Sequence, residues 1–170
     1  MRSNGMESRS EMEKRNMESK EERQILVFRL GSEELGLDIS CVREVLRPQE
    51  ICPLPKAPQF VEGVINLRGQ IVALIDLRKK LHAKAIEDEP RRIIVCKVNQ
   101  FIVGFTVNSL KGIIALSRKE IKPPPEVMEG QREAEVLSGI ASVGGRMIPI
   151  LNVEHLLTKK EAGDLAAVEP

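Results

Sequence analysis

The chain has 170 residues, of which 42% are hydrophobic and 30% charged, and its formal net charge is +1 at pH 7. This balance is typical of a globular protein, and the near-zero charge argues against a nucleic-acid or membrane surface as the main partner. Trp and Tyr are absent and only four Phe are present, which argues against an aromatic ligand pocket or a base-stacking platform. No apolar run is long enough to span a bilayer.

The N-terminal segment, residues 1–23, carries mixed charge and almost no apolar periodicity. We expect a disordered polar tail there, and the segment lacks the apolar stretch of a secretory signal. The three cysteines, Cys41, Cys52 and Cys96, have no paired spacing. They are typical of reduced thiols in a cytosolic protein rather than of a disulfide framework.

Short β-strands are predicted from residue 25 onward. Apolar runs over 25–30 and 35–39 flank the turn residues 31–32, which predicts a strand, a turn and a second strand. A further apolar segment, 42–46, precedes four closely spaced prolines. Prolines at this density exclude a continuous helix or a central strand.

A hairpin is predicted next, with strands over 60–67 and 70–77 around the turn Arg68-Gly69. The returning strand is very apolar. Residues 78–82 can form a single helical turn after it.

The same order of elements recurs in the second half of the sequence. Strand-like segments over 92–98 and 101–107 match the first two strands, and 139–153 matches the hairpin. An offset of 68 positions relates three pairs, which are Gly36 and Gly104, Val42 and Leu110, and Val45 and Ile113. An offset of 76 positions relates three more, which are Gly63 and Gly139, Gly69 and Gly145, and Leu81 and Leu157.

Duplication followed by one insertion explains these two offsets. We place the insertion in the loop around 122–134, because loops accept lengthening at small entropic cost. The sequence halves then run over about 24–84 and 91–158, with a C-terminal tail at 160–170. Exchange of strands between the two barrels is left open by the sequence. Short strands, frequent turn residues and no long amphipathic helix predict an all-β fold. Each half is too small for a robust solitary core, so we expect two small barrels packed together.

Enzyme and metal signatures are missing from the sequence. His82 and His155 have no carboxylate or cysteine at metal-ligand spacing, and no phosphate-binding loop or nucleophile elbow is visible. We therefore predict no catalytic residue, metal or cofactor. Asp76 has Asn152 as its repeat partner, which favours a role in hydrogen-bonding turn amides. Six glycines are interpreted as structural turn positions: Gly36, Gly63, Gly69, Gly104, Gly139 and Gly145.

Two charged residues break the repeat. Glu44 pairs with Gly112, and Arg68 pairs with Gly144. Arg68 also stands where a hairpin turn normally prefers Gly, Asn or Asp. A charge that the fold does not need is explained by something it touches, although an ordinary solvent-exposed charge is an equal alternative from these residues alone.

The segment 61–78, in which Asn-Leu-Arg-Gly is followed by a run ending in Asp-Leu-Arg, resembles the signature hairpin of CheW domains. The opening segment 27–45 and the closing segment 145–157 are similar to the same family. The resemblance covers about 24–159, which is the folded part of the chain. Two departures are Ala73, where the family often has Pro, and Asn108, where it often has Asp near the proposed groove.

The resemblance implies two SH3-like five-stranded β-barrels, with short helices at turns and at the C-terminus. It also implies a non-enzymatic, cytoplasmic adaptor, recruited to membrane receptor clusters, that links methyl-accepting chemoreceptors to the histidine kinase CheA. Its partners would be the helical tip of the receptor and the regulatory domain of the kinase. The functionally important Glu and Arg of the family correspond to Glu44 and Arg68.

A receptor helix is expected to lie in the groove between the barrels, with charges at the rim setting its register. The candidate groove residues are Val42, Glu44, Arg68, Ile93, Leu110 and Ile113. One alternative is an adaptor of a non-flagellar chemosensory pathway, for pilus or gliding motility. Another is a small-barrel nucleic-acid binder using the basic cluster between Arg78 and Lys84, which the net charge and the missing aromatics oppose.

Overall fold

The computed structural model describes residues 22–83, 91–126, 135–157 and 161. The predictions for the tails and for the insertion loop therefore fall largely outside the described residues. The strands are β1 Arg23–Leu30, β2 Glu33–Asp38, β3 Val42–Leu46, β4 Val61–Leu67, β5 Gln70–Asp76, β6 Arg92–Val98, β7 Phe101–Val107, β8 Ser109–Leu116, β9 Ile121–Lys122, β10 Leu137–Val143 and β11 Arg146–Leu151. The helical turns are α1 Leu77–Lys80 and the 3₁₀ helices Ile39–Cys41, Arg118–Glu120 and Val153–His155. No helix in these ranges has the length and apolar composition needed to cross a bilayer.

The strands form two mostly antiparallel sheets, which confirms the all-β prediction. One has the order β3-β6-β7-β5-β4 and is called the first barrel; the other has the order β8-β1-β2-β11-β10-β9 and is called the second barrel. The second barrel has six strands rather than five, because the two-residue β9 pairs with β10. Short helical turns follow β5 and β11, as expected.

The two sequence halves exchange their first two strands. β1 and β2 of the first half lie in the second barrel, and β6 and β7 of the second half lie in the first barrel. Each exchange makes one parallel contact, between β2 and β11 and between β5 and β7. The two parallel contacts have the same register. Gly36 faces Ile150 in one, and their repeat equivalents Gly104 and Leu74 face each other in the other. The repeat in the sequence therefore matches a repeat in strand register.

Three apolar clusters hold the barrels together. A central cluster lies between them and contains Phe28 and Leu37 of the second barrel with Ile94 and Phe105 of the first. Each barrel also has its own interior cluster, one around Ile25 and the other formed by residues of β4, β5 and β6. Strands β1 and β6 bury side chains on both faces, which explains their continuous apolar runs in the sequence.

The six glycines occupy three kinds of position, so the turn interpretation holds for only two of them. Gly69 and Gly145 lie in hairpin turns with φ of 86° and 77°. Gly36 and Gly104 lie inside β2 and β7, where a Cβ would come within 2.5 Å of Ile25 and 2.4 Å of Leu74, respectively. Gly63 and Gly139 lie at β-bulges in the hairpin strands β4 and β10. The other four glycines are therefore not turn residues. The sequence could not reveal this, because close approach to another part of the fold leaves no local sequence signature.

Candidate partner-binding site

The two charges that break the repeat contact each other. Arg68 Nη2 donates to Glu44 Oε2 over 2.6 Å, and the residues are 24 positions apart in the sequence. Glu44 lies in β3, an edge strand of the first barrel's sheet. Arg68 lies in the turn between β4 and β5, and β4 is the opposite edge strand of that sheet. The ion pair therefore joins the two edges of the first barrel.

Glu44 lies at a β-bulge that both barrels share. In the first barrel Val42 faces Cys96 and Glu44 faces Val95, so that Arg43 is left unpaired in the strand ladder. The second barrel has the same irregularity between β1 and β8, with Gly112 at the position of Glu44. Gly112 has a φ of 133°, and a Cβ placed there would meet only open space. The second barrel therefore forms its bulge without a side chain at this position. A bulge re-aims the side chain that it carries, here towards the hairpin turn.

Arg68 lies in the left-handed backbone region, with a φ of 51°. Its repeat partner Gly144 has nearly the same φ, 56°, in the turn between β10 and β11. Both turns have positive φ at both central residues, the geometry that favours Gly or Asn. Asn66 supports the first turn by accepting a hydrogen bond from the Gly69 amide over 2.8 Å. Arg68 therefore holds a backbone conformation that the other barrel meets with glycine.

The ion pair leaves capacity for a partner. The side chain of Arg68 is 71% exposed, whereas that of Glu44 is only 28% exposed. The hydrogen bond with Glu44 raises the pKa of the Arg68 guanidinium, so the cation is fixed. Within the described part of the chain, Glu44 Oε1 is buried and has no hydrogen-bond partner. The pair thus presents a cation to solvent and retains one carboxylate oxygen for a donor.

Three of the four predicted apolar groove residues are accessible to some extent. Val42 and Leu110 occupy equivalent positions, are half-buried and pack against the central cluster. Ile113 lies on the edge strand β8 and is 58% exposed. Its repeat partner, Val45 on the edge strand β3, is 37% exposed and is a further candidate that the offset of 68 could have identified.

Ile93 does not line a groove. It is 2% exposed and packs in the interior of the first barrel with Leu74 and Val95. The equivalent residue, Ile25, is fully buried in the interior of the second barrel. Because β6 is buried on both faces, its apolar run could not tell an interior position from one facing the groove.

Asn108 also does not lie at an exposed groove. It is fully buried, and its Oδ1 accepts a hydrogen bond from the Gly31 amide over 2.7 Å. Its own backbone amide donates to the Arg29 carbonyl over 3.0 Å. Asn108 lies between β7 and β8, where the chain passes from the first barrel to the second, and it fixes the turn between β1 and β2.

Asp76 has the structural role expected of it. Its Oδ1 accepts a hydrogen bond from the Arg78 amide over 2.9 Å at the start of α1. Asn152 does the same for the Glu154 amide at the start of the last 3₁₀ helix. The side chains of both residues therefore cap equivalent helical turns.

A partly buried polar network around Arg91 was not anticipated from the sequence. Arg91 forms an ion pair with Glu62, lies 3.5 Å from Asp76 and donates to the Thr106 hydroxyl over 3.1 Å. Thr106 in turn donates to Glu62 over 3.0 Å. The repeat equivalent of Arg91, Arg23, forms a simpler pair with Asp38 over 2.8 Å. The constant offset of 68 between the two arginines is the signal that could have linked them.

The basic cluster after β5 is largely compensated by neighbouring groups. Arg78 pairs with Asp76, and Lys80 pairs with Glu161 and lies 4.5 Å from the centre of the Phe60 ring. These residues border an open cavity of about 700 Å³. Lys84 lies outside the described residues. The described part of this cluster is therefore a set of local ion pairs more than a continuous cationic surface.

Known proteins resemble this chain over most of its length. A family model described as CheW-like domain matches residues 24–161. A chemotaxis protein CheW from Klebsiella aerogenes is 35% identical over 139 residues, covering 81% of this chain and 83% of the relative. Protein FrzA from Myxococcus xanthus is 31% identical over 143 residues, covering 82% of this chain and 88% of the relative. The crystal structure of the scaffolding protein TtCheW from Thermoanaerobacter tengcongensis has a TM-score of 0.74 and 32% identity, covering 82% of this chain and 90% of that one.

Proposed function

The chain belongs to the CheW family, and from this membership we propose that it is a non-enzymatic adaptor that couples chemoreceptors to the histidine kinase CheA. Its relatives are named as chemotaxis and scaffolding proteins. We also propose that the protein is cytoplasmic and is recruited to membrane receptor clusters. Two rigid barrels sharing one central core suit a passive docking role, because they present fixed surfaces to more than one partner.

The observation that carries the proposal is the ion pair between Glu44 and Arg68. These two charges are present in one barrel, whereas glycine occupies both equivalent positions in the other. Arg68 holds an unfavourable backbone conformation and remains mostly exposed, so its charge serves something other than local stability. A charge at a rim controls the register and specificity of a docked helix.

The proposed receptor surface is bounded by this ion pair and by Val42, Leu110 and Ile113. Val42 shares β3 with Glu44, and Leu110 and Ile113 share β8. An amphipathic receptor helix would place its apolar face on these side chains. Ile93, which is buried, is not part of the proposed surface.

Binding of a soluble chemoreceptor tip fragment and of the CheA regulatory domain tests this function. We expect Arg68→Gly, which introduces the residue of the other barrel, to weaken binding of the receptor fragment about tenfold, because a rim charge is lost. Glu44→Gln should act in the same direction, since it preserves side-chain shape but removes the anion. Titrations that give dissociation constants would measure both effects.

A matched ion pair in the other barrel provides the control. Arg146 donates to Glu34 over 2.9 Å beside the equivalent hairpin turn, and Arg146 is 61% exposed. Arg146→Gln should leave receptor binding near the wild-type value. Wild-type affinity of the Arg68 and Glu44 variants, or an equal loss in the Arg146 variant, would contradict the proposed site.

The second candidate function is an adaptor of a non-flagellar chemosensory pathway. It is favoured by one observation, the similarity to protein FrzA, a relative that does not carry the CheW name. Parallel titrations against receptor fragments and kinases from both kinds of pathway in one organism would separate the two candidates by relative affinity.

A further inference from the structure

Two thiols meet where the chain passes from one barrel to the other. Cys41 ends the 3₁₀ helix Ile39–Cys41, which connects β2 of the second barrel to β3 of the first. Cys96 lies in β6 of the first barrel and is fully buried. Val42, the neighbour of Cys41, is the direct cross-strand partner of Cys96. Both cysteine side chains pack in the same central cluster.

The two thiols differ in burial and in hydrogen bonding. Cys41 is half-buried, and its Sγ donates to the Asp38 carbonyl over 3.0 Å. A hydrogen bond with Cys96 lowers the pKa of the Cys41 thiol, and that hydrogen bond together with burial raises the pKa of the Cys96 thiol. Cys41 is therefore the more accessible of the two thiols. A peroxide in solution reaches Cys41 first, whereas the fully buried Cys96 is inert until its neighbour reacts.

We propose that Cys41 and Cys96 form a redox-active pair that a peroxide oxidises to an intramolecular disulfide. The disulfide would tie the connection between the barrels to β6 of the first barrel. The sequence expectation of reduced thiols applies to the resting state, and cytosolic disulfides are usually transient. The modification does not depend on the proposed receptor and kinase binding.

The chemistry requires one equivalent of peroxide. The Cys41 thiolate attacks one peroxide oxygen, a sulfur–oxygen bond forms, the oxygen–oxygen bond breaks, and the departing hydroxide takes up a proton to leave as water. Cys96 then attacks the sulfur of the sulfenic acid formed on Cys41. A sulfur–sulfur bond replaces the sulfur–oxygen bond, and the second hydroxide leaves as water with the proton of Cys96. Two thiols are oxidised and one peroxide is reduced to two water molecules.

The third cysteine provides an internal control. Cys52 is exposed, and its Sγ lies 3.8 Å from the Pro53 carbonyl oxygen. Its backbone pairs with Val64 of β4, whereas Cys41 and Cys96 lie where β3 pairs with β6. A Cys52→Ser variant removes intermolecular disulfides through this exposed thiol without changing the proposed pair.

Peroxide treatment of the full-length Cys52→Ser protein tests the proposal. Reduced protein is exposed to hydrogen peroxide, remaining thiols are alkylated under denaturing conditions, and peptides are mapped by mass spectrometry without reduction. We expect a linked peptide containing Cys41 and Cys96, the loss of both alkylation sites, and their return after dithiothreitol. The oxidised protein should also unfold at a higher urea concentration, since the bond closes a long loop.

Two serine variants separate proximity from ordinary thiol oxidation. Cys96→Ser should let Cys41 pass to the irreversible sulfinic acid, because the resolving thiol is gone. Cys41→Ser should leave Cys96 reduced and protected. The proposal is overturned if both thiols remain alkylatable after peroxide, if Cys41 becomes a sulfinic acid while Cys96 is intact, or if oxidised Cys96 appears in the Cys41→Ser variant.

Discussion

The two barrels solve the same structural problem with different residues at their exposed corners. The first barrel has Glu44 at its bulge and Arg68 in its turn, and the second has Gly112 and Gly144 there. Backbone geometry is nearly the same at both turns. Since glycine satisfies the geometry in one barrel, the fold does not require the charges in the other. This difference is what the partner-binding role proposed for Glu44 and Arg68 would explain.

The bulge in the first hairpin provides the largest expected contrast. A Cβ at Gly63 would lie 2.2 Å from the Cys52 carbonyl oxygen, and Gly63 has a φ of 148°. We expect Gly63→Ala to cost about 3 kcal/mol, because a backbone atom cannot move aside and the conformation is strained. At Gly139 the nearest atom is in the Ile121 side chain at 2.7 Å, so Gly139→Ala should cost only about 1 to 2 kcal/mol. Urea unfolding with an unchanged m-value would measure both, and equal losses would show that the bulges are interchangeable.

The two equivalent arginines provide the next contrast. Arg91→Met would leave Glu62, which is 10% exposed, without its cation, whereas Asp76 would keep Arg78. We expect a loss of about 2 to 3 kcal/mol, because an uncompensated buried carboxylate is costly. Arg23→Met should cost less than about 1 kcal/mol, since Arg23 and Asp38 are both close to one-third exposed. Thermal unfolding of both variants checks this order, and a larger loss for Arg23→Met would reverse the comparison.

The all-β fold and the two distinctive charges could be predicted from the sequence, because both leave patterns in the order of the residues. Apolar runs, turn residues and the two constant offsets mark strands and their repetition. The comparison of repeats isolated Glu44 and Arg68 without showing that they touch. Their contact depends on how β3 and the β4–β5 turn come together in three dimensions, which strand patterns do not specify.

Other features of the site escaped sequence reasoning for physical reasons. Sequence reasoning left strand exchange open, because strand patterns do not specify pairing partners and either half could pair within itself or with the other. Ile93 lies on a strand buried on both faces, so alternation could not assign its direction. Asn108 looks like a polar surface residue in the sequence, but it is fully buried and its side-chain oxygen accepts from the Gly31 amide.

Acid should affect the second barrel through Asp38. Burial tends to raise the pKa of this carboxyl, but hydrogen bonds from the Ser40 amide and from Arg23 outweigh it and hold the pKa below its usual value. A carboxyl with a lowered folded-state pKa stabilises the fold above about pH 4, and this contribution is lost as the pH falls through the folded-state value. The repeat equivalent, Thr106, carries no carboxyl at this position.

Asp38→Asn is the corresponding test. It should lower stability by less than about 1 kcal/mol near neutral pH, because the pair is partly exposed. The difference from wild type should shrink as the pH approaches about 2, where both states bind the proton. Urea unfolding across this range would measure it, and a pH-independent difference would assign the effect to packing instead.

A reciprocal exchange of turn residues sharpens the comparison through two small changes in stability of opposite sign. Gly144→Arg places a side chain at a φ of 56° with open space around it, so strain alone should cost about 1 kcal/mol. Arg68→Gly relieves the same strain in the first barrel but loses an exposed ion pair of little net value, so we expect a slightly higher unfolding temperature. The same variant should bind the receptor fragment more weakly. A residue whose removal strengthens the fold and weakens binding is retained for its partner, whereas a drop in unfolding temperature would make Arg68 a structural residue of the first barrel.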